Sequence, residues 1–338
     1  MIYFYITYSI ISILVSLYFK KKKLLLNYSG DRHQLYSNED NIPLIGGLLL
    51  AIPILVIDHE NFNYLSIIIL ISLLGIVSDK KILVSPKKRF VSQIAVILFS
   101  VILLNLEILS SRLVFFDNFL QIKFFNIFFT SFCLLILING SNFIDGLNSL
   151  LLVYMTLVIT ILFKLDFISV FIVNENLILY FIFFLIILVF LNLFNLLMLG
   201  DAGAYLLSFF VGYLILNCHK ANPSISPYFF IAIIWYPCFE NLFSIIRKFK
   251  YKFSPLKPDS NHLHQLLYKF LKKKYFKKKL FANNTSSLLI NTVNVVVIYI
   301  SSMNPYSSIY QIKLIATSIS IYIFFFIFLK NKTCKYEL

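Results

Sequence analysis

The stretch from Leu177 to Leu199, LILYFIFFLIILVFLNLFNLLML, followed at once by Gly200-Asp201-Ala202-Gly203, decides the fold class. It carries no charge over a length that, as α-helix, rises about 34 Å, enough to cross roughly 30 Å of hydrocarbon. Runs of similar character recur at 2–19, 42–57, 62–78, 90–109, 124–139, 147–163, 202–218, 227–246, 286–303 and 308–329. They are rich in Phe, Ile and Leu and lack the ten-residue alternation of a membrane β-barrel. Helices are then the remaining way to satisfy the backbone in lipid. The expectation is an all-α, polytopic transmembrane helical bundle of about eleven spans, with boundaries good to a few residues.

Composition points the same way. Of 338 residues, 13% are charged and 59% hydrophobic, with a mean hydropathy of +0.85; a soluble domain carries about a quarter charged residues. The longest polar stretch, 247–285, is too short for a soluble domain, so residues 1–338 read as one integral-membrane domain with a basic loop. Cys133, Cys218, Cys238 and Cys334 stand singly, which suggests neither disulfides nor a zinc site. The first run has no basic segment ahead of it and is followed by Lys20-Lys21-Lys22-Lys23, the wrong polarity for a cleaved signal peptide. It reads as a retained first helix with its N-terminus outside.

Charge counting tests that orientation. With the N-terminus outside, the cytoplasmic segments 20–41, 79–89, 247–285 and the tail from Lys330 hold 5, 5, 12 and 3 basic residues, 25 of the chain's 30. The positive-inside rule therefore selects an outside N-terminus and a cytoplasmic C-terminus. A basic fringe beside anionic lipid accounts for the net charge of +15, and the run from Lys272 to Lys279 reads as headgroup-facing rather than as a nucleic-acid patch.

Chemistry must then lie at helix ends and in short loops. Three of the fifteen acidic residues, Asp79, Asp145 and Asp201, sit where an apolar run meets a cytoplasmic segment, all on one side. A carboxylate at the hydrocarbon boundary is costly unless paired, and a shared cation facing a phosphate substrate would suit Mg²⁺. Helix capping is the alternative for each, since Asp145 and Asp201 both precede new helices. Around Asp201, Gly200 and Gly203 allow close backbone approach. Asn139 and Asn142 precede Asp145 at intervals of three, on one side of a helix end. Two of the chain's five histidines form His262-Leu263-His264 in the basic loop; with no cysteine or third ligand nearby, binding a pyrophosphate is a better use for them than zinc. Glu240, inside an apolar run beside Pro237, reads as a structural carboxylate paired with Arg247, or else as a site residue.

Taken in order, these motifs resemble the polyprenyl-phosphate N-acetylhexosamine-1-phosphate transferase family, over the chain from Gly30 to about Lys269. Pro43-Leu44-Ile45-Gly46-Gly47 is similar to that family's Pro-x-x-Gly-Gly element. Ser78-Asp79, with Gln93 beyond a basic stretch, resembles its acidic pair. Asn139, Asn142, Asp145 and Gly146 resemble its Asn-x-x-Asn-x-x-Asp-Gly element, and Gly200-Asp201-x-Gly203 its Gly-Asp-x-Gly. His262 and His264, with Arg247 upstream, resemble its histidine loop. The resemblance implies a membrane enzyme of the bacterial cytoplasmic membrane that joins a UDP-sugar to polyprenyl phosphate and releases UMP. It implies catalytic roles for Asp79, Asp145 and Asp201, and Mg²⁺, or Mn²⁺ in its place, on Asp201 and Asn142. Asn139, Asn142, Asn192, Arg247, His262 and His264 become the expected substrate-binding set. A homodimer is an expectation, and nucleic acid is not an expected partner.

Departures from the pattern narrow the branch. Ser78 replaces the first of two aspartates, Asn148 and Ser149 replace an Asp and a Gly, Gln265 ends the histidine run and Leu44 replaces a basic residue. They point away from the peptidoglycan translocase and towards initiators of surface polysaccharides. Two other classes stay open: a transporter or flippase of lipid-linked sugars, and an inactive homologue that binds them. Transporters put ionisable groups near the bilayer midplane, whereas here most acidic residues fall at helix ends.

Overall fold

The computed structural model describes residues 2–26, 42–83, 85–168, 176–250 and 261–334. Gly30, where the resemblance begins, and Lys257-Pro258-Asp259-Ser260 ahead of the histidines lie outside them. Among the described residues the chain is all helix, joined by loops and two isolated β-bridges. In order the helices are α1 (Ile2–Lys22), α2 (Gly46–Ile57), α3 (Phe62–Asp79), α4 (Pro86–Leu103), α5 (Val114–Leu120), α6 (Lys123–Ile144), α7 (Leu150–Lys164), α8 (Asn176–Leu193), α9 (Gly200–Ala221), α10 (Pro227–Ile233), α11 (Trp235–Lys250), α12 (Leu263–Lys274), α13 (Lys279–Met303) and α14 (Ser308–Cys334). The chain is therefore an all-α, multi-pass membrane protein. Among the described residues seven helices, α1, α3, α6, α8, α9, α13 and α14, are long and apolar enough to cross a membrane, and the bent α10–α11 pair adds an eighth if its two helices are taken as one span. α2 and α7 are apolar but shorter.

α9 forms the axis of the bundle and is almost wholly buried, with α2, α3, α6 and α7 around it. In lipid there is little hydrophobic drive between helices, so close approach depends on small residues. A Cβ on Gly47 would lie 2.5 Å from Gly203 N, and one on Gly75 would overlap the Ala202 backbone. α1 clasps the outside: Tyr5 and Tyr8 donate hydroxyl bonds to Pro53 O (3.2 Å) and Leu49 O (3.0 Å) of α2. Large apolar side chains such as Phe124, Phe183, Leu288 and Phe324 remain exposed, as the lipid-facing surface requires.

Three details differ from the pattern read in the sequence. The run 177–199 is not one helix: α8 stops at Leu193, and 194–199 is extended enough for Met198 to bridge Leu44. Gly46 N donates to Met198 O (3.0 Å) and Met198 N to Pro43 O (2.8 Å), so the Pro43–Gly47 element is what holds this strip. The run 90–109 becomes a helix from Pro86 to Leu103, because Pro86 takes the first helical position, where a missing N–H loses nothing. The run 227–246 is broken, α10 and α11 meeting at 79°. Pro237 has no N–H for Ile233 O, and a buried carbonyl left bare in lipid would be costly. Tyr154 of α7 donates its hydroxyl to that carbonyl (2.9 Å) and accepts the Tyr236 N–H (3.4 Å), so one side chain from a neighbouring helix satisfies both sides of the break.

Candidate active site

The first turn of α9 is capped by a residue of another helix. α9 starts at Gly200, whose φ of +70° turns the chain sharply, and its first amides point at the last residue of α3. Asp79 Oδ1 accepts from Asp201 N (2.8 Å) and Oδ2 from Ala202 N (3.1 Å). Orphan N–H groups and the positive end of the helix dipole make this a favourable place for a carboxylate. A Cβ on Gly200 would lie 2.7 Å from Asp79 Oδ2, so glycine serves both the turn and the approach. Asp201 itself does not cap. Its Oδ2 accepts from Ser78 Oγ, from Arg89 Nη1 (3.2 Å) and, at longer range, from Tyr205 OH (3.4 Å). Ser78 thus supplies a donor where a second aspartate would have set another negative charge beside Asp201. The Arg89 and Asp201 side chains are 37% and 21% exposed, so the pair is screened and orients Asp201 more than it stabilises the fold.

Asp145 lies one residue past the end of α6, its N–H returning to Ser141 O (3.1 Å). It does not cap the following helix, which begins at Leu150 after Ser149 in the left-handed region (φ +56°). Burial holds the Asp145 carboxyl well above the usual carboxylate range, and the charges of Asp201 and Asp79 push it the same way. The three aspartates, far apart in sequence, therefore lie within electrostatic reach of one another. The amides around them divide. The side-chain amide of Asn142 is half-buried and makes no hydrogen bond to the described residues, whereas that of Asn139 is turned back to Leu135 O of its own helix (2.9 Å). Asn192 spends its amide on backbone: Oδ1 accepts from Ser149 N and Oγ, and Nδ2 donates to Leu197 O (2.7 Å). It clamps the strip before α9 to the start of α7. Asn148 is buried among amides, donating to Asn195 Oδ1 (2.8 Å) and Asn284 Oδ1 (3.0 Å), while its N–H meets Asn283 Oδ1 (2.8 Å).

The histidines close the other side. α12 starts at Leu263, with Gln265 Oε1 accepting from His262 N (3.2 Å) across its first turn. His262 and His264 stack at 5.6 Å, and His264 reaches Gly146, where a Cβ would lie 3.0 Å from Nε2. The basic loop thus brings an ordered helix start, with both of its histidines, against Asp145-Gly146. Glu240, fully buried, does not spend itself on Arg247: Oε1 takes His262 Nδ1 (2.8 Å) and Oε2 the Tyr322 hydroxyl (2.6 Å). Arg247 is buried with its guanidinium over the rings of Phe243 (5.5 Å) and Phe326 (5.2 Å). Lys248 lies over Phe143 (5.8 Å), between the Asn142 and Asp145 positions. The sequence singles out none of Arg89, Tyr205, Lys248 and Tyr322 as a site residue. Only Tyr205, one helical turn after Asp201, carried a local signal.

Fold and site together define a multi-pass membrane protein with one end of its bundle lined by carboxylates, amides and imidazoles. Residues 62–219, a little under half of the chain, match the family described as Glycosyl transferase family 4. That span contains Asp79, Asn142, Asp145 and Asp201, and the histidines and the Pro43–Gly47 element lie beyond it. The match supports a transferase that moves a sugar phosphate onto a lipid phosphate, with a nucleotide-sugar donor and a membrane lipid acceptor. A comparison with curated proteins finds no match.

Proposed function

We propose that the protein transfers a sugar-1-phosphate, N-acetylhexosamine-1-phosphate, from a UDP-sugar to polyprenyl phosphate at the cytoplasmic face of a bacterial inner membrane, initiating a cell-envelope polysaccharide. The observation that carries this reading is the meeting of Asp79, Asp145, Asp201 and the His262–His264 pair at one end of the bundle. Three carboxylates with Arg89 as their close cationic partner suit a hard divalent cation, because their mutual repulsion is relieved when one binds. Among the described residues no three His, Cys, Asp or Glu side chains are grouped to hold an ion by themselves, so the proposed Mg²⁺ would take most of its shell from water and substrate phosphates. Asp201 and Asn142 are its proposed ligands, and bound there it would neutralise the pyrophosphate.

The chain's own part is positioning and charge, which is most of what phosphoryl transfer asks of a protein. An oxygen of the lipid phosphate attacks the β-phosphorus of the donor. The new P–O bond forms as the bridging P–O bond breaks, and UMP leaves with the bridging oxygen. Asp79 fixes the first turn of α9 and so the place of Asp201. Arg89 and Ser78 set the Asp201 rotamer, and the histidine loop holds the nucleotide. The broken α10–α11 helix is the most transporter-like feature, but its freed carbonyl is taken by Tyr154, which supports a structural break rather than a route through the bundle.

Purified protein supplied with undecaprenyl phosphate, Mg²⁺ and a panel of UDP-sugars should release UMP and yield a lipid-linked product. Asp201→Asn should lower turnover by about a hundredfold or more while the thermal midpoint stays within a few degrees. Full turnover in that variant would sink the assignment of Asp201.

A further inference from the structure

Tyr322 belongs to α14, more than a hundred residues beyond the matched span, yet its hydroxyl reaches the carboxylate that holds His262. We propose that Tyr322 and Glu240 are positioning residues for the nucleotide-sugar site, fixing the tautomer and orientation of His262 from α14 and α11. The proposal rests on the reading that the histidine loop binds the donor.

The geometry leaves little freedom along this chain of contacts. Glu240 has no solvent exposure, and a carboxylate so placed is tolerable only if both oxygens are engaged. They are, one by Tyr322 at 2.6 Å and one by His262 at 2.8 Å. A carboxylate at Nδ1 keeps the proton on that nitrogen, so Nε2 is the ring atom left for a ligand. Phe143 bounds the imidazole at 5.2 Å and His264 stacks on it at 5.6 Å. His264 in turn abuts Gly146, the neighbour of Asp145. A change at Tyr322 is thereby passed to the position of His262 relative to the carboxylate site.

Fastening α14 is the competing role for the triad. Apolar contacts already do that, since Phe326 packs edge-on to Phe243 at 4.9 Å and Tyr322 edge-on to Phe239 at 5.0 Å. A buried ionic group adds little to stability compared with an apolar replacement, so its retention here fits orientation of a ligand-binding ring better than anchorage.

The test compares the full-length protein with Tyr322→Phe, which removes one hydroxyl and keeps the ring, and with Glu240→Gln. Steady-state kinetics should give a donor KM raised about tenfold in Tyr322→Phe, the loss of one hydrogen bond to a charged group. kcat and the KM for undecaprenyl phosphate should stay within about twofold. Glu240→Gln should act in the same direction and more strongly. UDP affinity, measured by calorimetry without turnover, should fall in parallel. In a His262→Gln background Tyr322→Phe should have no further effect, because the ring it orients is gone. An unchanged donor KM and UDP affinity with a lowered thermal midpoint would make the triad a fastener and overturn the proposal, as would additivity with His262→Gln. Wild-type protein that binds UDP but releases no UMP from any donor defeats the transferase reading, while UDP affinity in Tyr322→Phe still decides the role of Tyr322. Wild-type protein that does not bind UDP overturns the proposal outright.

Discussion

Asp79→Asn separates a residue that holds the site from one that reacts in it. Both Asp79 oxygens accept α9 amides, at 2.8 and 3.1 Å. Asparagine keeps one acceptor and turns an NH₂ towards the second amide, so one charge-assisted hydrogen bond is lost, about 1.5 to 3 kcal/mol. The favourable charge–dipole interaction at the helix start goes as well, about 0.3 to 1 kcal/mol. Against these stand the relief of repulsion from Asp201, screened because that side chain is partly exposed, and the removal of a charge held half-buried between two helices. The net expectation is a destabilisation of about 1 kcal/mol, which for a chain of this size lowers the thermal midpoint by about 2 °C. A thiol-reactive dye can follow unfolding in detergent at one fixed scan rate, since Cys218 is buried and becomes reactive only when α9 opens. Turnover should fall together with the midpoint, on the order of a hundredfold, because loosening the first turn of α9 misplaces Asp201. Gly200→Ala should do the same from the other side, its Cβ colliding with Asp79 Oδ2 at a φ that disfavours any side chain. Abolished turnover with an unchanged midpoint would refute the clamp and make Asp79 a group that acts on substrate. Unchanged turnover and midpoint would mean the two amide contacts carry nothing.

Asp145→Asn should raise the thermal midpoint at neutral pH while reducing turnover. The folded carboxyl titrates above its unfolded value, so its ionisation costs folded-state stability as pH rises through that interval, and the neutral amide removes the cost. A wild-type midpoint that does not fall relative to the variant as pH rises above the ordinary carboxylate range would contradict this. Asn148→Asp should destabilise by about 2 to 3 kcal/mol, because two amide oxygens face that side chain and Asn284 is held in place by Leu193 O; a midpoint equal to wild type would count against the amide cage. For orientation, single-cysteine reporters in a cysteine-free background at Lys273 and Ser111 should be labelled from the cytoplasmic and the outer side respectively. The reverse pattern would overturn the positive-inside assignment.

Much of the fold could be read directly from the chain because lipid enforces a simple rule: apolar runs of sufficient length must be helices. The lengths were less legible where a local element overrode the hydropathy. The residues 194–199 are as apolar as the helix before them, and only pairing with Pro43–Gly47 explains why they unwind. The break at Pro237 could be anticipated from proline, but not the side chain that makes it tolerable.

At the candidate site, the histidines stand out because of the order of motifs they complete, and Asp79, Asp145 and Asp201 because polar groups at the ends of apolar runs are few. Asn192 stood out for the same reason and proves to be spent on backbone, because an amide in an apolar helix is as useful for clamping a neighbour as for meeting a ligand.

By itself the sequence determined residence in the membrane and the placing of three carboxylates at helix ends, because hydropathy acts locally along the chain. Only the tertiary structure decided that Asp79 caps a helix that starts 121 residues later, and that Tyr322 reaches His262 through Glu240. Those pairings are fixed by which helices pack together, where glycines let them approach, and no local pattern of residues encodes them.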